Sequence, residues 1–536
     1  MRIPAAVIGL ALSAFSCLAE PALPDATELT RQGARIGEII IRAENIFDLE
    51  DPQENLPPYR LANRLHVRTR PDVIRRQLLF KSGDLYSQRL LDESARILRS
   101  ARYLYDASVR PIAFKDGKVD IAVTTRDVWT LNPGASFSRR GGRNTSGVEI
   151  EEMNLLGTGA NLSIGRSSGV DRDSTLYEYK DRHLADTWVS LEAAYGSNSD
   201  GALRALDVQR PFYSLDTRWA AGLSVLEDER IEPLYDLGKV VDEFGSHRQL
   251  AAASWGRSHG LINGWVRRWS VGATLDRREF TEAPGSAVGL VPEDRMLVYP
   301  WIGFELVQDA FDTFSNHDQI GRTEDFYLGT RLSAQLGYAD GAFGADRSAL
   351  MFNARASHGS GSPHGSALVL TSALQGRLEN GELRDTVLDS AIRYYVKQSE
   401  RRLFFATLEA SVGHALDLDT QILLGGENGL RGYPLRYQGG ESRALLTLEQ
   451  RYFTNWYPFR LFRVGGAAFV DVGRTWGESP VSTPSRGLLK DIGVGLRFGN
   501  GRSGLGSIIH VDLAFPLDGD WTIDSVQILV ETKERF

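Results

Sequence analysis

Two textures of apolar and polar residues divide the chain. Between Gly37 and about Arg126, helical and strand periods alternate. Ile36 and Glu38-Ile39-Ile40-Ile41 form a β-branched run that predicts a first strand. The Pro- and Asn-containing stretch Asp51–Pro58 predicts a loop, and Pro71 suits the first turn of a helix running through Val73, Ile74 and Leu78. After the turn Lys81-Ser82-Gly83-Asp84 comes the clearest helical pattern. Leu90, Leu91, Ala95, Ile97, Leu98, Ala101 and Leu104 recur at helical spacing, with Arg89, Asp92, Arg96 and Arg99 on the outer face. Two strands are predicted next, Ala107–Phe114 and Val119–Thr125, and the Asp116-Gly117 pair between them is a strong hairpin signal. A β-α-α-β-β order in roughly 90 residues is a small domain able to bury one core.

From about Val128 to Phe536 helical periodicity disappears. Short alternating runs recur between Gly, Asn, Asp and Ser turns: Ala160–Ile164, Trp188–Tyr195, Trp219–Val225, Ser270–Leu275, Phe326–Leu336, Leu403–Val412, Ala444–Tyr452 and Ile492–Phe498. The polar segments Leu226–His247 and Asp276–Arg295 predict surface loops. Roughly 18 to 20 strand candidates fit this length at ~10 residues per membrane-crossing strand. The number must be even if the small domain and the C-terminus share one side of a membrane. From Leu461 to Trp476, Phe462, Val464, Ala468, Val470 and Val472 share one face, while Arg463, Ala467, Phe469, Asp471 and Thr475 share the other. The last strand, Ser525–Phe536, sets Val526, Ile528 and Val530 against Gln527, Glu531, Lys533 and Arg535, and stops on an aromatic, as many outer-membrane barrels do.

Composition narrows the picture. Mean hydropathy is −0.25, and after residue 18 no apolar run approaches the ~20 residues of a membrane-spanning helix. A membrane protein this polar must be a closed barrel, since closure alone satisfies every backbone group in lipid; a soluble all-β periplasmic protein has the same composition. A net charge of −8 without any basic cluster argues against nucleic acid as a partner. Arg2 followed by the apolar run Ile3–Leu18 predicts a signal peptide, residues 1–19, with cleavage after Ala19 and a linker over 20–36; lipid attachment at Cys17 is the rival reading. Cys17 is the only cysteine, so the mature chain is expected to lack thiol chemistry.

Candidate chemistry concentrates late. Gly425-Gly426-Glu427-Asn428-Gly429-Leu430-Arg431-Gly432-Tyr433 precedes Phe469-Val470-Asp471-Val472-Gly473. If the apolar face of the second segment meets lipid, Asp471 points into a lumen and needs a partner. Arg431 on its glycine loop is the natural candidate, since a bidentate contact would pin the loop inside the barrel. The expected lock is Arg431, Gly432, Tyr433 and Asp471, supported by Gly426, Gly429, Phe469 and Gly473; the bland alternative is a solvated loop arginine. Glu449 and Arg451 share a strand face, either as lumen ion pairs that brace the loop or as solvated charges. Gly165-Arg166-Ser167-Ser168-Gly169 matches the G-x-S-x-G pattern of hydrolases, but no helix is predicted after it. The cluster from His358 to His364 fits neither a catalytic nor a metal spacing. No cofactor, metal or catalytic site is expected.

The region 37–127 resembles a polypeptide-transport-associated (POTRA) domain. Residues 128–536 resemble the barrel of the BamA/TamA superfamily of outer-membrane assembly and secretion proteins. Leu430-Arg431-Gly432-Tyr433 and Phe469–Trp476 carry the resemblance, with Asn154-Leu155-Leu156-Gly157-Thr158-Gly159 as a third, weaker match. The resemblance implies an α+β periplasmic domain followed by an all-β barrel of about 16 strands with an inward loop over 425–440. It also implies a weakly paired seam between first and last strands, through which unfolded client polypeptides insert into the outer membrane or cross it. Neither action needs catalysis. Outer-membrane lipid is the expected surrounding, with periplasmic accessory proteins at the POTRA edge. Two alternatives are a two-partner-type pore for a single exoprotein and, more distantly, an outer-membrane lipid hydrolase acting through Ser167. One POTRA-like domain is fewer than such proteins usually carry.

Overall fold

A computed structural model describes residues 23–362, 364–479, 481, 483–504, 508–518 and 523–533. The expected signal segment, Cys17 and the terminal Phe536 lie outside these residues. The N-terminal domain comprises α1 (Ala26–Arg31), β1 (Arg35–Glu44), α2 (Pro57–Leu65), α3 (Pro71–Arg76), α4 (Gln88–Arg99), β2 (Leu104–Lys115) and β3 (Lys118–Asp127). Its sheet runs β1-β3-β2, with β1 parallel and β2 antiparallel to β3. Asp116 and Gly117 both take positive φ, +51° and +73°, as a two-residue hairpin turn demands. α4 turns Leu91, Ala95 and Leu98 onto Ile36, Val109, Ile121 and Val123 of the sheet, which gives the domain its own core.

The remainder closes into one antiparallel barrel. Its first ten strands are β4 (Leu131–Arg140), β5 (Arg143–Glu152), β6 (Asn161–Ser168), β7 (Asp173–Asp181), β8 (Ser190–Asn198), β9 (Gly201–Arg210), β10 (Trp219–Asp236), β11 (Lys239–Ile262), β12 (Trp265–Glu282) and β13 (Arg295–Gln308). A small hairpin, β14 (Phe311–Phe314) with β15 (Glu324–Tyr327), forms a separate sheet and belongs to no ladder of the wall. The wall resumes with β16 (Thr330–Ala339), β17 (Ala349–Gly361), β18 (Ser366–Glu379), β19 (Glu382–Ser399) and β20 (Arg402–His414). An inward crossing carries β21 (Ile422–Leu424) paired with β22 (Gln438–Gly440). The last five strands are β23 (Ser442–Phe453), β24 (Phe462–Trp476), β25 (Leu489–Asn500), β26 (Ile508–Pro516) and β27 (Gln527–Lys533), and β27 returns to β4.

Period two decides which residues face where. In β24, Ala468, Val470 and Trp476 point outward, while Phe469, Asp471 and Thr475 are buried inside. Val148, Ile164, Val225, Trp269, Ile302, Leu336, Ile392, Leu448, Ile492 and Leu513 all stand exposed on the outer wall. So wide an apolar surface around a charged interior is stable only in lipid. Barrels of this build sit in the bacterial outer membrane.

The structure corrects several expectations. The barrel has 20 strands rather than about 16, because each of the twenty alternating runs finds a ladder neighbour on both sides. The segment expected as a linker holds α1, capped by the Asp25 side chain, and the N-terminal domain's first strand already begins at Arg35, ahead of the expected domain boundary at Gly37. The expected loop up to Pro58 ends in α2, since Pro57 and Pro58 occupy first-turn positions where a missing N–H costs nothing. α4 stops at Arg99, and Leu104 opens β2. Most of 226–247 is not loop: β10 and β11 continue as a ladder to a two-residue turn at Leu237-Gly238, and Glu227 of β10 pairs with Arg204 of β9. β12 likewise runs on to Glu282, leaving 283–294 as loop. The run Phe326–Leu336 breaks between Tyr327 and Thr330, because Phe326 and Tyr327 pair back with Asp312 and Phe311 instead of joining the wall.

Candidate functional site

The barrel's last joint is its weakest. Among the described residues, Val530↔Arg139 is the single register pair joining β27 to β4. By contrast, β26 and β27 stay in register from Ile508↔Lys533 to Ala514↔Gln527, and β4 and β5 from Leu131↔Glu152 to Arg140↔Arg143. A side-chain contact, Arg140 Nε to Glu531 at 3.8 Å, spans the same joint. Most N–H and C=O groups along these two facing strand edges therefore have no ladder partner there.

Inside the wall, the crossing between β20 and β23 folds into the lumen. Leu430, Arg431 and Tyr433 are all buried. Arg431 donates to Asp471 from Nε at 2.7 Å and from Nη2 at 3.0 Å, and to Glu449 from Nη1 at 3.1 Å. Its guanidinium stacks over the Phe469 ring, and Asp512 lies 3.8 Å from Nη1. Thr447 also holds Asp471, its hydroxyl donating at 2.7 Å to the oxygen that Arg431 Nη2 reaches. The Gly432 N–H donates to Asp491 at 2.8 Å, and a Cβ at Gly432 would lie 2.6 Å from that of Asp491, so only glycine fits. Gly429 has φ +106°, and a Cβ there would meet the Leu445 side chain at 2.6 Å. The Tyr433 hydroxyl donates to Asp518 O at 2.7 Å and accepts from Lys490 N at 3.2 Å. Gly473 leaves room for Leu424, and Gly426 packs beside Gly141. Gly141, in the β4–β5 turn, also abuts Pro434 and Leu435. The loop thus touches the wall on both sides of the β27–β4 joint.

Arg451 does not touch Arg431; Glu449 stands between them, accepting from Arg451 Nε at 2.9 Å. Arg451 faces instead toward an element that sequence reasoning missed, the connection between β13 and β16. Its hairpin enters the lumen from the side of the N-terminal domain. Ile320 is buried among Tyr395, Leu403, Phe405, Phe453, Ala467 and Ile508, and His317 stacks on Tyr395 at 4.2 Å. Arg451 donates to His317 O at 2.8 Å and meets Asp318 at 3.2 Å. From below, Tyr105 donates to Gly321 O at 2.7 Å, Thr323 to Asp106 at 2.9 Å and Arg322 to Leu104 O at 3.1 Å, while Arg99 pairs with Asp325. The N-terminal domain therefore clamps the hairpin into the mouth.

Other wall residues complete the charge cluster. Arg497 is fully buried and paired with Asp512, and Asp491 faces the loop from β25. Period-two alternation of Asp491, Gly493, Gly495 and Arg497 carried that signal. His510, Asp512 and Glu531 bring ligand-type atoms within 4.8 Å of one another, yet Arg497 pairs with Asp512 and Lys533 with Glu531, so cations already neutralise these carboxylates. Ser167 sits near the end of β6, which runs into a turn and then β7, so the strand-to-helix elbow a hydrolase serine needs is not formed there. His358 bonds Thr330 Oγ1 at 2.8 Å. The Asn154–Gly159 turn docks the two domains: Asn154 donates to Thr69 at 2.8 Å and Arg70 N to Gly157 O at 3.1 Å.

No family model matches the chain. Over 122 residues, 21% of its length, it is 32% identical to a curated outer membrane protein assembly factor of Treponema pallidum (strain Nichols), and it spans 14% of that relative. Among solved structures it is similar to BamA from Haemophilus ducreyi lacking POTRA domains 1–3, at 12% identity over 92% of this chain and 84% of that one, TM-score 0.39. It is also similar to CdiB from Escherichia coli, at 13% identity over 94% and 77%, TM-score 0.47.

Proposed function

We propose that this outer-membrane barrel, similar to the BamA/TamA superfamily in its late motifs, inserts or translocates client polypeptides at the β27–β4 seam without covalent chemistry. The single register pair Val530↔Arg139 carries the reading. Unpaired strand edges template an incoming β-strand by main-chain hydrogen bonding, which gives affinity without sequence demands. The inward loop, seated by Arg431 on Asp471 and resting on the Gly141 turn, acts as the lock that holds both sides of the seam together. The N-terminal domain takes the POTRA-like role. β2 is an edge strand, with Pro111 where an edge tolerates it, and offers pairing to clients or accessory proteins.

A dedicated pore for one exoprotein is the second reading. A cavity of about 560 Å³ lined by Arg355, Ser357, Thr371, Asp389, Arg393 and Arg443 favours it, although loop and hairpin both cap the lumen. A reversible seam lock separates the two. With Arg139→Cys and Val530→Cys joined as a disulfide, seam-dependent insertion stops and reduction restores it, read by mass spectrometry of outer-membrane barrels after depletion of the native protein. Undiminished insertion by the oxidised variant defeats the seam reading.

A further inference from the structure

We propose that α2 is a lipid-binding element, lying against the periplasmic leaflet beneath the seam and holding anionic phospholipid there. None of its residues is buried, which is unusual for a helix inside a folded domain. One face is nevertheless fixed. Tyr59 stacks on Phe47 at 4.5 Å, and Asn63 donates to Phe47 O at 2.8 Å and accepts from Phe47 N at 3.0 Å. The opposite face carries Leu61 and Leu65, four apart on one stripe, 54% and 64% exposed. Val67 continues the apolar surface at 52%.

The position of the helix commits this face to one occupant. Its first turn is tied to the β23–β24 turn, where the Tyr59 hydroxyl donates to Phe459 O at 2.8 Å. That turn displays Trp456 and Phe459, 64% and 77% exposed, the kind of aromatic residue that gathers at a membrane interface. The chain just after α2 is tied to the β5–β6 turn, where Arg70 donates to Leu156 O at 3.2 Å and Leu156 is itself exposed. Those two turns lie on either side of the seam strands, so α2 runs along the base of β25, β26, β27 and β4. On β23 and in the turn after it, Leu448, Tyr452 and Trp456 are likewise exposed on the lipid-facing side. Charge agrees with an anionic surface. From Leu56 to Arg70 the sequence holds Arg60, Arg64, Arg68 and Arg70 and no acid, and among the described residues the guanidiniums of Arg60, Arg64 and Arg68 have no carboxylate partner. Guanidinium flanking an apolar stripe matches a phosphate headgroup over acyl chains.

The test uses the full-length barrel in phosphatidylethanolamine/phosphatidylglycerol vesicles, with a nitroxide on Leu61→Cys or Leu65→Cys and on Asp92→Cys of α4 as the aqueous reference. Collisions with oxygen are expected to exceed those with a water-soluble nickel complex at 61 and 65, and the reverse at 92. The double variant Arg60→Gln/Arg64→Gln shifts label 65 toward water in these vesicles and not in purely zwitterionic ones. Heat-modifiable electrophoretic migration verifies that each barrel is folded. Nickel accessibility at 61 and 65 equal to that at 92, as on a bare face, or low collision with both reagents, as under a protein, overturns the proposal. An arginine effect identical in both lipids overturns the anionic part.

Discussion

Removing Arg431 tests whether the loop is clasped or merely resting. Arg431→Ala deletes four charge-assisted contacts and leaves Asp471 and Glu449 buried with less compensation. Stranding buried carboxylates in this way costs about 3–5 kcal/mol. Asp471→Asn keeps the shape and the Thr447 neighbour, and Arg431 retains Glu449, so its cost is about 1.5–3 kcal/mol. Because both substitutions break the same contact, the double variant should fall close to Arg431→Ala alone, a coupling of about 1–3 kcal/mol. Amide hydrogen exchange over 425–440 in nanodiscs reads the energies directly. At about 1.4 kcal/mol per decade, Arg431→Ala should raise loop opening by roughly 100- to 4,000-fold. The wall strands should exchange as before, since the loop is also held by the Tyr433 hydroxyl and by Arg443 donating to Leu423 O. Energies that simply add in the double variant would refute the clasp.

The hairpin supports two more predictions. Replacing residues 312–326 with a short Gly-Ser linker removes Ile320 and the Arg451 contact, and should raise single-channel conductance in planar bilayers severalfold; unchanged conductance means the hairpin does not close the mouth. Its seating should also conceal two opposed proton linkages. Burial, with the Asp318 charge adding, lifts the Glu324 carboxyl from 4.5 to about 7 against the N–H groups of His317 and Asp318, whereas burial pushes the His317 imidazole from 6.5 down to about 4. The groups facing this pair are Asp318 and Arg322 on the hairpin, Arg99 and Asp106 below, and Arg451 and Lys397 on the wall. A raised carboxyl makes seating weaken as pH rises from 4.5 to 7; a lowered imidazole makes it weaken as pH falls from 6.5 to 4, each by up to about 3 kcal/mol. The native hairpin should therefore be nearly flat between pH 5 and 6.5 in hydrogen exchange over 309–329. Glu324→Gln should then open it toward acid and His317→Gln toward alkali, and two flat variants would contradict the assignment.

How far the sequence carried depended on whether a residue's neighbours lie in the same strand. The face of β24 bearing Asp471 was legible, because period two is a property of one segment. The glycines around Arg431 marked a loop that must approach other backbone closely, which pointed to its partner forty residues away. Asp491 and Arg497 share one face of β25 by period two, but their membership of the cluster was not legible, since Asp491, Arg497 and Asp512 reach Arg431 only through the register of β25 and β26 on β24. The hairpin at 309–329 was missed because Phe326 and Tyr327 alternate as a wall strand would; only pairing with Phe311 and Asp312 shows otherwise. α2 was hidden by its own prolines, which read as breakers although they sit where a helix begins. Strand number came closer from raw alternation than from resemblance, because the alternation is what closes the ladder.

The arrangement of charges argues for release in steps rather than all at once. Glu449 is shared: one oxygen takes Arg451, which holds the hairpin, and the other takes Arg431, which holds the loop. A client or partner that shifts the N-terminal domain pulls first on Tyr105, Asp106 and Arg99, all of which grip the hairpin. Were Arg451 to leave with it, Glu449 would still have Arg431, and Arg497 stands 3.6 Å away. The carboxylate is not orphaned, so unseating the hairpin weakens the loop by about one charge-assisted contact, roughly 1–2 kcal/mol, and not by the larger cost of breaking the clasp outright. The lower closure can therefore open while the upper one stays shut. The loop, in turn, rests Pro434 and Leu435 on the Gly141 turn of the first strand and Gly432 on the wall beyond the last. It straddles the seam, so its displacement must come before the seam's two edges can separate at that end. Passage along the proposed route then has a required order, hairpin, loop, seam, and each step has its own energetic threshold.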